Sequence, residues 1–200
     1  MLCAVILAAG RSSRMGCEKS RLPWLGKMLL PWMVEELSLA GWEPRVVVGP
    51  ESFEFWKTVL GGERVVLQPM PERGKATSLA CGVKHLPAAT RWILATAVDQ
   101  PRLPAVYQRL REATSAHPDK TILVPGCGAG RGHPVVLAGS LRNEMLALAE
   151  DAGGLRGLLD ARHGEIYRVT DANPTQCRWD FNTPDEYAEA LDFFQRNISR

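Results

Sequence analysis

A loop of small and basic residues near the start of the chain is the first candidate for chemistry. Ala8, Ala9 and Gly10 follow a short apolar run, and Arg14 and Lys19 bring positive charge to the same stretch. Small residues allow backbone N–H groups to approach phosphate oxygens closely, and cations neutralise phosphate charge. The pattern predicts a site for a phosphate-bearing ligand, and the alternative is a solvated turn with incidental basic residues.

A second candidate is a set of oxygen ligands for a metal ion. Asp99 directly follows the apolar run Trp92–Ala97. Asp180 and Asn182 are spaced to project to one side of an extended segment. Mg²⁺ prefers oxygen ligands and commonly shares them with substrate phosphates. The sequence therefore predicts a Mg²⁺ site that contains Asp99 with Asp180 or Asn182, while spacing alone equally allows turn and cap residues.

Two other glycine patterns do not match nucleotide-binding motifs. Gly74 and Lys75 suggest a P-loop, but Pro69 occupies the position of its first glycine and Ala76 replaces the Ser or Thr after the lysine. The second pattern alternates instead of reading G-x-G-x-x-G, and it consists of Gly126, Gly128, Gly130 and Gly132. A P-loop and a nicotinamide site are therefore both disfavoured.

The elements that would position these residues alternate short β-branched runs with longer helical periods. This alternation is typical of an α/β fold with a mostly parallel central sheet flanked by helices. Strands are predicted at Cys3–Leu7, Arg45–Val48, Arg64–Leu67, Trp92–Ala97 and Thr121–Val124. Helices are predicted at Pro31–Ala40, Glu51–Leu60, Lys75–His85, Pro104–Ala116, Ser140–Ala149 and Leu155–Arg162.

A last helix has the clearest start signal in the sequence. Thr183 can cap it, Pro184 suits its first turn, and Glu186 completes a T-x-x-E capping box. The loop at residues 8–19 and Asp99 both follow predicted strands, at the carboxyl edge where open α/β sheets bind their ligands. We therefore expect them to share one crevice.

The composition and charge of the chain limit the classes of protein to which it could belong. The 200 residues are 46% hydrophobic and 23% charged, and no linker or repeat interrupts them, so we expect one globular domain over residues 1–200. The formal net charge of +2 is too small to indicate binding of nucleic acid or of an acidic membrane. The five cysteines are scattered without a C-x-x-C pair, and the apolar start is too short to span a bilayer, so a cytoplasmic protein is expected.

Several motifs along the chain resemble those of one protein family. Residues 7–19 resemble the signature loop of the MobA-like nucleotidyltransferases, which have a GT-A, Rossmann-like α/β fold. The molybdenum cofactor cytidylyltransferases are the most similar branch, because they share Ala8-Ala9-Gly10. The similarity recurs along the chain at Gly74-x-x-x-Ser78-Leu79-x-x-Gly82, Asp99-Gln100-Pro101, Gly132-His133-Pro134-Val135 and Asp180-x-Asn182-Thr183-Pro184-x-Glu186-Tyr187.

The resemblance implies transfer of CMP from CTP to a molybdopterin-type cofactor, with release of pyrophosphate. It implies that Arg14 and Lys19 act in catalysis on the triphosphate and that Asp99, with Asp180 or Asn182, holds Mg²⁺. Acceptor binding is expected at the turn Gly132-His133-Pro134, although a purely structural turn is equally consistent. The nucleotide-binding residues implied are Leu7, Ala8, Ala9, Gly10, Arg14, Lys19, Gly74 and Ser78.

The sequence supports two interpretations of which nucleotide is the donor. A methyl group at Ala9 should narrow the space for a base and favour a pyrimidine, whereas Asn182-Thr183-Pro184 resembles the guanylyl branch. The alternatives are thus a guanylyltransferase that uses GTP on molybdopterin or another phosphorylated acceptor, or a non-catalytic nucleotide-binding or cofactor-binding protein. Transient contact with a molybdoenzyme or its maturation factor is also expected.

Overall fold

A twisted sheet forms the centre of the computed structural model, which describes residues 1–10, 15–127, 130–170 and 179–198. Its strands are β1 (Leu2–Leu7), β2 (Pro23–Trp24), β3 (Lys27–Met28), β4 (Glu43–Val48), β5 (Val65–Leu67), β6 (Trp92–Ala97), β7 (Ile122–Cys127), β8 (Gly130–Arg131), β9 (Val135–Ala138) and β10 (Ile166–Val169). The helices are α1 (Leu29–Leu39), α2 (Phe53–Leu60), α3 (Lys75–Lys84), α4 (Pro104–Ala116), α5 (Arg142–Leu146), α6 (Gly154–Ala161) and α7 (Pro184–Asn197).

The main sheet has the order β10-β7-β9-β6-β1-β4-β5, with β8 paired to β7. Strand β1 pairs in parallel with both β4 and β6, and β4 with β5 and β7 with β10 are also parallel. Strand β9 is inserted antiparallel between β6 and β7. The expectation of a mostly parallel sheet flanked by helices is confirmed.

The predicted strands and helices occur, with shifted ends. Strand β6 and helix α4 match the prediction residue for residue. Helix α1 begins two residues before Pro31, which is possible because the first N–H groups of a helix have no partner within it. Strands β9 and β10 were not predicted, although the pair Val135-Val136 is a strand signal.

The helix predicted at Ser140–Ala149 is wrong in extent. A 3₁₀ turn at Gly139–Leu141 leads into α5, which ends at Leu146. The chain then leaves the helical path, and a Glu150 carboxylate oxygen accepts a hydrogen bond from the Ala76 backbone nitrogen at 2.5 Å. Glu150 thus satisfies a free N–H group at the start of α3.

Helices cover both faces of the sheet. Along β1, Ala4 and Ile6 face one apolar cluster and Cys3 and Val5 face the other, as the alternation of side chains along a strand requires. Helix α3 lies very close to the second face, because a Cβ atom on Gly82 would come within 2.5 Å of a Val5 methyl carbon. Of the helices in the described ranges, none combines the length and apolar composition that crossing a membrane requires.

The start of α7 has the predicted capping box. The Thr183 hydroxyl accepts from the Glu186 backbone nitrogen at 3.3 Å, and the Glu186 carboxylate accepts from the Thr183 backbone nitrogen at 3.1 Å. The same carboxylate also accepts from the backbone nitrogen of Asn182 at 2.6 Å. The cap therefore fixes the chain that enters α7 as well as the helix itself.

Replacing the capping hydroxyl should destabilise the fold. Thr183→Ala is expected to lower the free energy of unfolding by about 1 kcal/mol, because a donor at the helix start loses its partner. Thr183→Ser keeps the hydroxyl and should cost much less. Urea denaturation of both variants tests this, and equal losses in the two would contradict a capping role for the hydroxyl.

Candidate active site

The site lies where the chain changes direction across the sheet. From β1 it proceeds outward to β4 and β5 and then returns to β6 on the opposite side of β1. Leu7 pairs with Val47 on one side and with Ala97 on the other. The loops that follow β1 and β6 therefore begin side by side, at the kind of crevice where α/β sheets bind ligands.

One cavity at this crevice gathers most of the predicted nucleotide-binding residues. Its volume is about 280 Å³. It is lined by Leu7, Ala9, Gly10, Lys19, Pro71, Gly74, Lys75, Ser78, Ala97, Val98, Asp99 and Asn182. Segments that are far apart in sequence thus meet around one space. Arg14 lies outside the described residues.

A larger cavity of about 660 Å³ adjoins the first. Ala9, Gly10 and Pro71 border both cavities, and Ala8, Glu18 and the loops after β4 and β5 complete the larger one. Its volume falls in the range of small-molecule binding sites. Together the two cavities form a continuous groove along the carboxyl edge of β1, β4 and β6.

The amino group of Lys19 joins three parts of the chain. Its Nζ donates to Asp99 Oδ2 at 3.0 Å, to the Phe181 carbonyl oxygen at 2.7 Å and to Asn182 Oδ1 at 3.1 Å. Lys19 is only 8% exposed, so these contacts are shielded from water. The lysine therefore lines the smaller cavity and also holds two of the predicted metal ligands.

The second oxygen of Asp99 is the atom that could take a cation. Asp99 Oδ1 is buried and lacks a hydrogen-bond partner within the described part of the chain. A buried carboxylate oxygen without a partner is costly, and a hard cation would satisfy it. Among the described residues, no three His, Cys, Asp or Glu side chains cluster closely enough to hold a metal ion. The chemistry of this oxygen therefore fits a hard cation, which would need further ligands from outside these side chains.

Asp180 and Asn182 line different cavities, and Asp99 borders both of them. Asn182 lines the 280 Å³ cavity, whereas Asp180 lines a separate cavity of about 160 Å³ with Asp99, Glu186 and Glu189. The two residues thus border different cavities, and their joint role as metal ligands stays a prediction. The backbone nitrogen of Phe181, the residue between them, donates to the Asp99 carbonyl oxygen at 3.1 Å and holds this segment against the end of β6.

The predicted acceptor turn, Gly132-His133-Pro134, leads into β9. Gly132 and Pro134 are buried, and His133 is half-buried. Burial lowers the pKa of His133 and the nearby Arg102 cation lowers it further, while Asp180 opposes both. The imidazole is therefore neutral near neutral pH. Contact between this turn and an acceptor stays a prediction.

Sequence reasoning missed two charged residues that support the site. Arg102 is 0% exposed, although an arginine beside a turn proline is normally on the surface. Glu18 accepts from the Trp56 indole nitrogen at 3.0 Å and from Arg21 Nε at 2.8 Å, which ties the loop before Lys19 to α2. The sequence offered one signal for each residue: Arg102 closely follows Asp99, and Glu18 directly precedes Lys19.

The fold and site together define a phosphate-handling α/β enzyme whose ligand groove lies at the carboxyl edge of a parallel sheet. Residues 4–166 match the MobA-like NTP transferase domain, and the chain belongs to that family. It is accordingly a nucleotidyltransferase.

Named relatives and solved structures agree with this assignment. A molybdenum cofactor guanylyltransferase of Xanthomonas euvesicatoria pv. vesicatoria is 29% identical over 94% of this chain and 93% of its own. The crystal structure of Rv0371c from Mycobacterium tuberculosis has a TM-score of 0.80 at 25% identity, covering 96% of this chain and 99% of its own. A nucleotidyl transferase from Methanothermobacter has a TM-score of 0.78 at 25% identity and covers 99% of both chains.

Removing the Lys19 amino group should be costly to stability. Lys19→Met leaves the buried Asp99 carboxylate without its cation, and breaking a buried ion pair in this way costs about 3 kcal/mol or more. Lys27→Met is the control, because the Lys27 pair with Glu35 is exposed and should contribute less than about 1 kcal/mol.

Urea denaturation of both variants measures the difference. The double variant Lys19→Met with Asp99→Asn should recover part of the loss, because the unpaired charge is then gone. A loss in Lys19→Met no greater than in Lys27→Met would contradict a stabilising ion pair at this site.

Proposed function

We propose that this protein transfers GMP from GTP to a molybdenum cofactor and releases pyrophosphate. The observation that carries the proposal is the similarity, over nearly its whole length, to the Xanthomonas protein named molybdenum cofactor guanylyltransferase. The stretch Asn182-Thr183-Pro184, which resembles the guanylyl branch of the family, supports the same donor.

The choice of GTP departs from the sequence-based expectation of CTP. That expectation relied on the resemblance of Ala8-Ala9-Gly10 to the cytidylyl branch and on the Ala9 methyl narrowing the space for a base. Ala9 is only 8% exposed and packs in the apolar cluster that contains Val5, Val47 and Leu79. Although Ala9 borders both cavities, this packing leaves it little exposed surface, so its methyl group is a weak argument for a pyrimidine. CTP is kept as the competing donor in the tests.

The two cavities suggest how a nucleotide would lie. The nucleoside would occupy the larger cavity, and the triphosphate would extend past Gly10 into the smaller one, where Lys19, Gly74 and Ser78 are. Lys19 supplies positive charge there, and glycine backbone allows close approach of phosphate oxygens. Arg14 is proposed to add a second cation on the triphosphate.

In the reaction, a phosphate oxygen of the acceptor attacks the α-phosphorus in line as the bond to pyrophosphate breaks. Such a phosphate is already ionised near neutral pH, so no side chain need remove a proton. Negative charge grows on the leaving pyrophosphate, and the positive charge of Lys19 stabilises it there. Because the acceptor phosphate has no proton to lose, His133 is proposed to contact the acceptor and not to act as a general base.

Asp99 is proposed to hold Mg²⁺ through its unpartnered oxygen, with Asn182 or Asp180 as the second protein ligand. When bound, the ion would neutralise phosphate charge and help to orient the α-phosphate. Lys19 holds Asp99 and Asn182 within reach of each other through one amino group, which pre-organises these oxygens.

The donor preference can be measured by thermal stability. A ligand that binds only the folded state stabilises it by RT ln(1 + [L]/Kd), which is about 2.7 kcal/mol at one hundred times Kd. GTP with Mg²⁺ should therefore raise the melting temperature more than CTP at the same concentration. Pyrophosphate release with molybdopterin as acceptor should show the same order, and a larger effect of CTP in both assays would reverse the donor assignment.

The role of Asp99 can be measured by turnover. Asp99→Asn should fold and lose at least about a hundredfold in kcat, because an amide cannot replace a carboxylate as a ligand of a hard cation. Asp119→Asn is the control, since Asp119 pairs with Lys120 in the turn after α4. Wild-type turnover of Asp99→Asn at saturating Mg²⁺ would contradict the proposed role of Asp99 as a metal ligand.

A further inference from the structure

Arg102 is a fully buried cation bonded to three separate stretches of backbone. Its Nη1 donates to the Pro101 carbonyl oxygen at 2.8 Å and to the Trp179 carbonyl oxygen at 2.7 Å. Its Nε donates to the His133 carbonyl oxygen at 2.9 Å. One guanidinium group thus joins the turn after β6, the turn before β9 and the segment before α7.

These three stretches carry or adjoin the predicted metal ligands and the predicted acceptor turn. Asp99 precedes Pro101, and Asp180 and Asn182 follow Trp179. Residues 179–182 have no helical or sheet hydrogen bonding of their own. Their position against β6 therefore depends on cross-links such as those from Arg102 and Lys19.

The turn that contains Arg102 is also held by a side chain of helix α4. The Arg102 backbone nitrogen donates to the Tyr107 hydroxyl at 3.2 Å, and Tyr107 is completely buried in α4. Burial lowers the pKa of Arg102 to about 10, so its side chain keeps its charge near neutral pH. That charge is close enough to Asp99 and Asp180 to interact with both carboxylates.

We propose that Arg102 is a positioning residue that sets the distance between Asp99 and the 179–182 segment and so determines how tightly this end of the site holds a divalent cation. The inference rests on the proposed role of Asp99 as a metal ligand. The Arg102 guanidinium group donates to the carbonyl oxygens of Pro101, His133 and Trp179, and it is proposed to act through the backbone of the residues that would hold the cation. Partners behind metal ligands typically change metal affinity by about 10- to 100-fold when they are replaced.

The chain contains a matched control for this proposal. Arg142 likewise donates to three backbone carbonyl oxygens, those of Val83, Leu86 and Pro87, at 2.6–2.9 Å. Its contacts hold the C-terminal end of α3, whereas Gly74 precedes the N-terminal end of that helix. Arg142→Met should therefore lower the melting temperature without changing the affinity for a divalent cation.

The test is Mn²⁺ binding to the full-length chain, measured by electron paramagnetic resonance with and without pyrophosphate. Pyrophosphate is released whichever nucleotide is the donor, so the choice of base does not affect the result. Arg102→Met should raise the Kd for Mn²⁺ at least tenfold, and Arg102→Lys should give a smaller increase. Arg142→Met should bind Mn²⁺ like the wild type.

A folded Arg102→Met that binds Mn²⁺ as the wild type does would overturn the inference and leave the proposed function standing. An equal loss in Arg102→Met and Arg142→Met would also overturn it, because the effect would then be general destabilisation. Should Arg102→Met fail to fold, Arg102→Lys decides, and wild-type Mn²⁺ affinity in that variant refutes the role. A wild-type chain that binds no Mn²⁺ would overturn both this inference and the metal role of Asp99.

Discussion

The contact on which the site depends is the buried amino group of Lys19. It joins the loop after β1 to the end of β6 and to the segment before α7 by bonds of 2.7–3.1 Å. A lysine is seldom buried because its charge must leave water, and here a carboxylate and two neutral oxygens compensate for that cost. Residues about 80 and 160 positions apart in sequence are held together as a result.

Arg102 repeats this arrangement at the turn after β6. Both cations bind carbonyl oxygens of the 179–182 segment, Lys19 at Phe181 and Arg102 at Trp179. The 179–182 segment is bonded to both cations and lacks a sheet partner of its own. The side chains of Lys19 and Arg102 therefore set its geometry. The capping box adds a third restraint, since Glu186 accepts from the Asn182 backbone nitrogen. Polar oxygens are therefore pre-positioned on a segment that has no regular structure.

The groove beside this segment is built mainly from backbone and small residues. Ala9 and Gly10 border both cavities, and the absence of a Cβ atom at Gly74 leaves space that the Glu150 carboxylate fills. Lys19 and Lys75 are the described cations on the lining of the smaller cavity. Such a lining suits a ligand that carries several phosphate charges, because close backbone approach and a few cations are what phosphate binding needs.

The sequence by itself determined the alternation of strands and helices, the T-x-x-E cap of α7 and the motifs that identify the family, because these depend on local periodicity and short motifs. It did not reveal the antiparallel strand β9, the early end of α5 or the burial of Arg102. Strand β9 takes its place by pairing with β6 and β7, and Arg102 is buried by segments 31 and 77 residues away. Only the tertiary structure could decide these features, because their causes are contacts between distant parts of the chain.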